Sequence, residues 1–235
     1  MKRLVVNADD FGMSSGANRG IIRAHEQGIV TSASLMVRWP AADEAAAYAR
    51  SHPQLSVGLH IDLCEWTFVN EAWRPVYEVV PTGDAAAVAK EITRQLEVFR
   101  QLVGRYPTHL DSHQHVHRTE PIHSILLREA VRLGVILRST SSEVRYCGDF
   151  YGQSTNGYPY PEGISVEALL RILQQLPDGI TELSCHPAEE ADMGSTYRNE
   201  RIVERQALCD PRVIAAIKSE QIELCSFGAI TGQNV

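Results

Sequence analysis

Seven short apolar or β-branched runs, most of them separated by stretches with helical spacing, leave this chain few folds to choose from. Such alternation builds βα units around a parallel sheet. The runs fall at residues 4–8, 31–37, 55–60, 108–111, 135–138, 181–184 and 222–226. Helical patterns occupy residues 14–27, 41–50, 85–103, 119–133, 166–175 and 199–218, with Thr119 read as an N-cap ahead of Glu120 and Pro121. Residues 62–83 are irregular and hold Trp66, Phe68, Trp73 and Tyr77, which suggests a long functional loop. Seven repeats fit either an open doubly wound sheet or a small, irregular (β/α) barrel of about seven parallel strands. Asn7, Asp9, Asp10, His60, Asp111, His113 and His186 all fall at or just after strand C-termini. Convergence of that many strand ends favours the barrel, whose active site is built on the C-terminal rim.

At 235 residues, with 44% hydrophobic and 22% charged, the chain suits one well-sized core. No Pro/Gly/Ser-rich linker or low-complexity stretch divides it, so residues 1–235 read as a single domain. A net charge of -7 without a Lys/Arg cluster argues against nucleic acid and anionic membranes as partners. A small neutral or cationic ligand fits better. Only Leu4-Val5-Val6 follows Met1-Lys2-Arg3 before polar Asn7, too short an apolar core for a signal peptide, and no apolar run is long enough to span a bilayer. Five cysteines, odd in number and widely spaced, read as reduced thiols in a cytoplasmic protein.

The chemistry concentrates in four places. Asn7-Ala8-Asp9-Asp10-Phe11-Gly12 sets two carboxylates directly after a strand. Neighbours there point to different sides, so one carboxylate can ligate a metal while the other faces water; taken alone, the pair is equally at home in a turn. His109-Leu110-Asp111-Ser112-His113-Gln114-His115-Val116-His117 packs four of the nine histidines into nine residues. In extended conformation Asp111, His113, His115 and His117 share one face, an arrangement that a metal or an anion would organise. Gly58-Leu59-His60 and Ser184-Cys185-His186-Pro187 each place a histidine at another strand end. A Cys185–His186 nucleophilic pair is disfavoured, since adjacent side chains at a strand end point apart. No G-x-S-x-G elbow or phosphate-binding glycine loop is present.

These four blocks, in this order, resemble the signature motifs of the YdjC-like carbohydrate deacetylases, and they span nearly the whole chain. The resemblance implies a distorted (β/α) barrel that hydrolyses the N-acetyl group of an amino sugar and releases acetate. It implies Asp10, His60 and His113 as ligands of one divalent metal ion, Mg²⁺ or Zn²⁺, with Asp9 as general base and His186 as general acid. Asn7, Asp111, His115, His117 and Trp66 then take supporting or substrate-facing roles. The expected partner is an acetylated sugar, and a homodimer is compatible with the sequence. Two other readings keep the barrel: a metal-dependent phosphoesterase or amidohydrolase, and a non-catalytic sugar- or metal-binding relative. The first usually carries His-x-His on its first strand, where this chain has Asp9-Asp10; the second has no need of both Asp9 and His186.

Overall fold

The structure, a computed structural model, describes residues 1–69, 71–192 and 197–232. The N-terminal half runs β1 (Lys2–Phe11), α1 (Ser15–Gln27), β2 (Ser32–Leu35), α2 (Ala42–Ser51), β3 (Ser56–Ile61), β4 (Cys64–Val69), β5 (Ala72–Glu78), α3 (Ala85–Val103) and β6 (His109–Ser112). A 3₁₀ turn (His113–Arg118) leads into α4 (Ile122–Leu133), β7 (Ile136–Leu137), β8 (Val144–Cys147), α5 (Val166–Gln175) and β9 (Gly179–Cys185). The chain ends with α6 (Asn199–Leu208), α7 (Pro211–Ser219), β10 (Glu223–Leu224) and α8 (Phe227–Thr231).

Seven strands form one parallel sheet in the order β7-β6-β3-β2-β1-β9-β8, with β10 pairing to the N-terminal end of β1. No ladder joins β7 to β8 among the described residues, so the sheet curls into a distorted β/α barrel left open on one side. β2, β3 and β6 are buried along their whole length, as is β1 from Leu4 onward. That continuous burial is what a parallel sheet covered on both faces requires. One contiguous core runs from Leu4, Val6 and Ala8 through Leu35, Leu59 and Leu110 to Leu183.

Several elements differ from the sequence expectation. Residues 64–69 and 72–78 pair as an antiparallel hairpin in place of the expected loop: Cys64↔Glu78 through Val69↔Ala72 are partners, and Glu71 is left-handed at φ 60. Its aromatic and β-branched content favours strands, but both faces are largely exposed, so the burial signal of a core strand is missing. Strand β8 escapes sequence reading because only Val144 of its four residues is buried. The expected helix over 199–218 is two helices, since Pro211 starts a new one whose N-cap, Asp210, accepts from the Arg212 amide at 2.8 Å. Thr119 caps the end of the 3₁₀ turn, and α4 begins at Ile122 without a side-chain cap.

Candidate active site

Strand β1 delivers two carboxylates by an irregularity. Its pairing with β2 shifts register between Ala8 and Phe11, and Asp10 adopts the left-handed region at φ 66. A non-glycine residue held there stores strain that its surroundings must offset, a pattern concentrated at functional sites. Regular alternation would send Asp9 and Asp10 to opposite faces; the bulge instead brings both to the wall of one cavity, nearly fully buried.

Around Asp10 the geometry is convergent. Its Oδ1 lies 3.3 Å from His60 Nε2, at the end of β3, and 3.1 Å from His113 Nδ1, just past β6. Ligating atoms of the three residues all fall within 4.8 Å of one another. The far side of His60 is fixed by Asp111, whose Oδ1 accepts from Nδ1 at 2.7 Å. A carboxylate behind an imidazole in this way orients the ring and raises its basicity as a ligand. Asp10 Oδ2 accepts from Arg201 Nη2 at 2.6 Å. Burial pushes the Asp10 carboxyl up, but Arg201 and His113 together hold it well below the carboxylate range. For His60 burial works the other way, and Asp111 and Asp10 override it, pushing the imidazole up to about 10.

Asp9, His60 and Asp111 also lie close enough to hold an ion. That space is already served by a cation, because Arg138 donates to both Asp9 oxygens at 2.6 and 2.7 Å and lies 2.8 Å from Asp111. The Asp10–His60–His113 group is therefore the better candidate for a metal. Arg138 follows β7, is buried, and also donates to Glu182 on β9 at 2.7 Å, so one guanidinium bridges three strands inside the barrel. Burial raises and Arg138 more than offsets, leaving Asp9 below its ordinary value. Asn7 Nδ2 adds a third hydrogen bond to Asp9 at 2.8 Å.

His186 closes the site from the end of β9. Its Nε2 is 3.8 Å from Asp9 Oδ2, and its Nδ1 is 3.8 Å from Glu204 Oε1 on α6. Glu204 accepts from the His186 amide and the Tyr197 hydroxyl, and the rings of Tyr151 and Tyr197 flank the imidazole edge-on at 5.5 Å. Gly20 makes this placement feasible: a Cβ there would sit 2.3 Å from Ala188 Cα, so α1 can lie against the chain two residues after His186. Cys185 is turned away, its thiol on the Asn7 carbonyl at 3.5 Å, and burial pushes it well up, which excludes a Cys–His pair.

The histidine cluster does not share one face. Gln114 and His115 are left-handed, at φ 49 and 54, and the turn throws each ring a different way. His113 reaches Asp10. His115 lines the cavity with Nε2 3.1 Å from the Tyr146 hydroxyl, and burial and Arg138 push it down to about 3, so it is neutral. His117 faces Ser112 Oγ at 2.7 Å and His109 stacks on Phe227; neither lines the cavity. The cavity, of about 500 Å³, is walled on its outer side by Trp66, Phe68 and Trp73 of the hairpin. Gln114 ties that hairpin to the histidine turn, its amide exchanging two 2.8 Å hydrogen bonds with the Trp66 backbone. Sequence reasoning gave no site role to Arg138, Arg201, Glu182 or Glu204. Each is a buried charged residue, Arg138 just past β7, Glu182 in the middle of β9 and the other two on α6, and only contact across the barrel reveals its partner.

Fold and donor set together define a parallel β/α barrel with a candidate divalent-metal centre on its strand C-terminal rim. The model of the YdjC-like protein family matches residues 3–219, and the chain belongs to that family. It is 33% identical to a carbohydrate deacetylase of Geobacillus stearothermophilus, over 95% of this chain and 96% of that one. It is also 33% identical to a chitooligosaccharide deacetylase of Serratia marcescens, over 96% and 98%. The crystal structure of an Enterococcus faecalis protein conjectured to cleave cellobiose phosphate superposes with a TM-score of 0.76 at 27% identity, covering 97% and 98%. A family 4 acetyl xylan esterase of Clostridium thermocellum, solved with cobalt, gives 0.54 at 13% identity over 98% and 92%, a likeness of fold alone. No helix among the described residues is long and apolar enough to cross a membrane.

Proposed function

We propose that this protein is a divalent-metal-dependent hydrolase that removes the N-acetyl group from an acetylated amino sugar or short oligosaccharide. The observation that carries the reading is the meeting of Asp10, His60 and His113 in one cavity with Asp9 and His186, in a chain whose full-length relatives are named carbohydrate deacetylases.

The residues present fit a metal. Two imidazole nitrogens and one carboxylate oxygen are the donor set of catalytic zinc sites, and His60 already carries the orienting carboxylate behind it. His113 Nε2 is buried without a hydrogen-bond partner among the described residues, with Glu65 Oε2 3.9 Å away. Asp10, His60 and His113 would hold the ion, and the nitrogen donors favour Zn²⁺ over Mg²⁺. When bound, a divalent ion supplies Lewis-acid charge to the acetyl oxygen and lowers the pKa of a nearby water.

The chain's own groups do the rest. Asp9, kept ionised by Arg138, takes a proton from the attacking water, whose oxygen bonds to the acetyl carbon. As the C–N bond breaks, His186 gives its proton to the departing nitrogen, and amine and acetate are released. Glu204 and the two tyrosine rings hold the His186 imidazole, whose Nε2 lies 3.8 Å from Asp9 Oδ2. Arg138 keeps Asp9 from becoming a ligand by occupying both its oxygens. Trp66, Phe68 and Trp73 offer apolar faces to a sugar ring.

The test is a substrate screen with metal-loaded protein: acetate release from N-acetylglucosamine and its oligomers, against phosphate release from aryl phosphates. Acetate release with silent phosphate esters is the expected result. Faster phosphate release, or none of either with sugar still bound, would overturn the assignment in favour of a phosphoesterase or a binding protein.

A further inference from the structure

Arg201 is committed at two of its three guanidinium nitrogens. Nε donates to the Tyr197 carbonyl at 2.8 Å and Nη2 to Asp10 Oδ2 at 2.6 Å. The third, Nη1, is buried and has no hydrogen-bond partner among the described residues, and the side chain, 2% exposed, lines the cavity. Buried guanidinium N–H groups are normally satisfied, and one left open beside a catalytic cavity requires an explanation. Pairing with Asp10 accounts for Nη2 but leaves Nη1 without a task. Nη2 alone serves Asp10, and that carboxylate already lies between the guanidinium and the two imidazoles.

We infer that Arg201 Nη1 is an anion-binding donor of the active site, which grips an acyl oxygen as it becomes charged and then the carboxylate of the departing acetate. The inference rests on the deacetylase reading and deepens it by assigning the acyl-anion pocket. A neutral acetamide oxygen gains little from a guanidinium. The tetrahedral oxyanion formed by water attack and the acetate that follows gain far more, and interactions stronger in the transition state are the ones that accelerate the reaction. Asp10 and Tyr197 hold the guanidinium in place from two sides, so the donor is positioned before substrate arrives. The sugar amine, which has no anionic oxygen, leaves this pocket unfilled, whereas small carboxylates bind it.

The experiment compares wild type with Arg201→Lys and Arg201→Gln, with metal content, kcat, KM and acetate inhibition measured on each. Lysine keeps a charge for Asp10 but cannot also reach an acyl oxygen. Arg201→Lys is expected to retain metal, to lose about 10²–10³ in kcat with KM little changed, and to weaken acetate inhibition at least about tenfold. Loss of metal in step with activity, with acetate inhibition unaltered, would overturn the inference and leave Arg201 as an anchor for Asp10. Acetate binding is also read directly by calorimetry, without turnover, so a failed deacetylase assignment and a failed anion pocket are told apart. Should neither variant fold, ¹⁵N-arginine spectra of wild type decide: acetate must shift the Arg201 guanidinium signal, and an unmoved signal overturns the inference.

Discussion

Replacing Arg138 with methionine removes the cation from the middle of the barrel while nearly conserving volume. Three carboxylates then lose their partner: Asp9, Asp111 and Glu182, each 3% exposed or less. Breaking a buried ion pair by deleting one member costs about 3–5 kcal/mol, because a charge is left uncompensated. For a chain of this length that corresponds to a fall in Tm of about 6–20 °C. The loss must depend on pH. With Arg138 present, Asp9 and Asp111 sit below their ordinary value of 3.8, so they stabilise the fold above that pH and cease to do so as pH falls through the lowered values. Without Arg138, burial dominates and raises both, so their contribution reverses and stability falls as pH rises. Glu182, already pushed up to about 7 by burial, takes a proton first and relieves part of the strain. Thermal melts of wild type and Arg138→Met at about pH 8 and pH 5 are the assay. The gap between them should be widest at the higher pH and shrink on acidification. An equal gap at both, or one below about 1 kcal/mol, would refute the role of Arg138 as the compensating charge.

Metal binding should be proton-coupled. His60, pushed up to about 10 from 6.5, stabilises the metal-free fold below pH 6.5, an effect lost as pH rises through 10. A cation must displace that proton, so apparent affinity should climb by about tenfold per pH unit over the interval, and a flat calorimetric profile would contradict this. Asp9→Asn and His186→Ala should both keep metal and lose about 10²–10⁴ in rate on an N-acetyl sugar. On an activated acetate ester, whose leaving group needs no proton, only His186→Ala should recover; equal defects on both substrates would refute the division. Gln114→Leu cuts both hydrogen bonds to Trp66 and should raise KM about tenfold through the loosened hairpin, with kcat nearly unchanged. Trp66→Ala should raise KM as well, whereas Tyr158→Ala should not, since Tyr158 lies outside the cavity wall and is 62% exposed.

What the sequence made legible follows from how local each signal is. Helix α3 was readable to the residue because Asp84 caps its start, accepting from the Ala86 and Ala87 amides, and left-handed Gly104 ends it. The barrel and its reactive rim were readable because a polar residue after an apolar run marks a strand end. The bulge at Asp9-Asp10 was not, since nothing in the residue types distinguishes alternation from convergence, and only Asp10 at φ 66 shows it. The histidine run misled in the same way: two consecutive left-handed residues cancel the period-two pattern, so His113, His115 and His117 part company. Arg138, Arg201 and Glu204 stayed hidden for another reason. On a helix or at a strand end they look like ordinary surface charges, and only burial beside Asp9, Asp10 and His186 gives them a task.

On the function proposed above, Asp10, His60 and His113 hold one ion on which deacetylation depends. Titrating Zn²⁺ into chelator-treated protein, with bound metal and acetate release from an N-acetylated chitooligosaccharide followed together, tests it most directly. Acetate release should rise in proportion to metal up to one equivalent per chain, and a His113→Ala variant should neither bind the ion nor release acetate. Full acetate release from metal-free protein, or stoichiometric metal in His113→Ala, would contradict it.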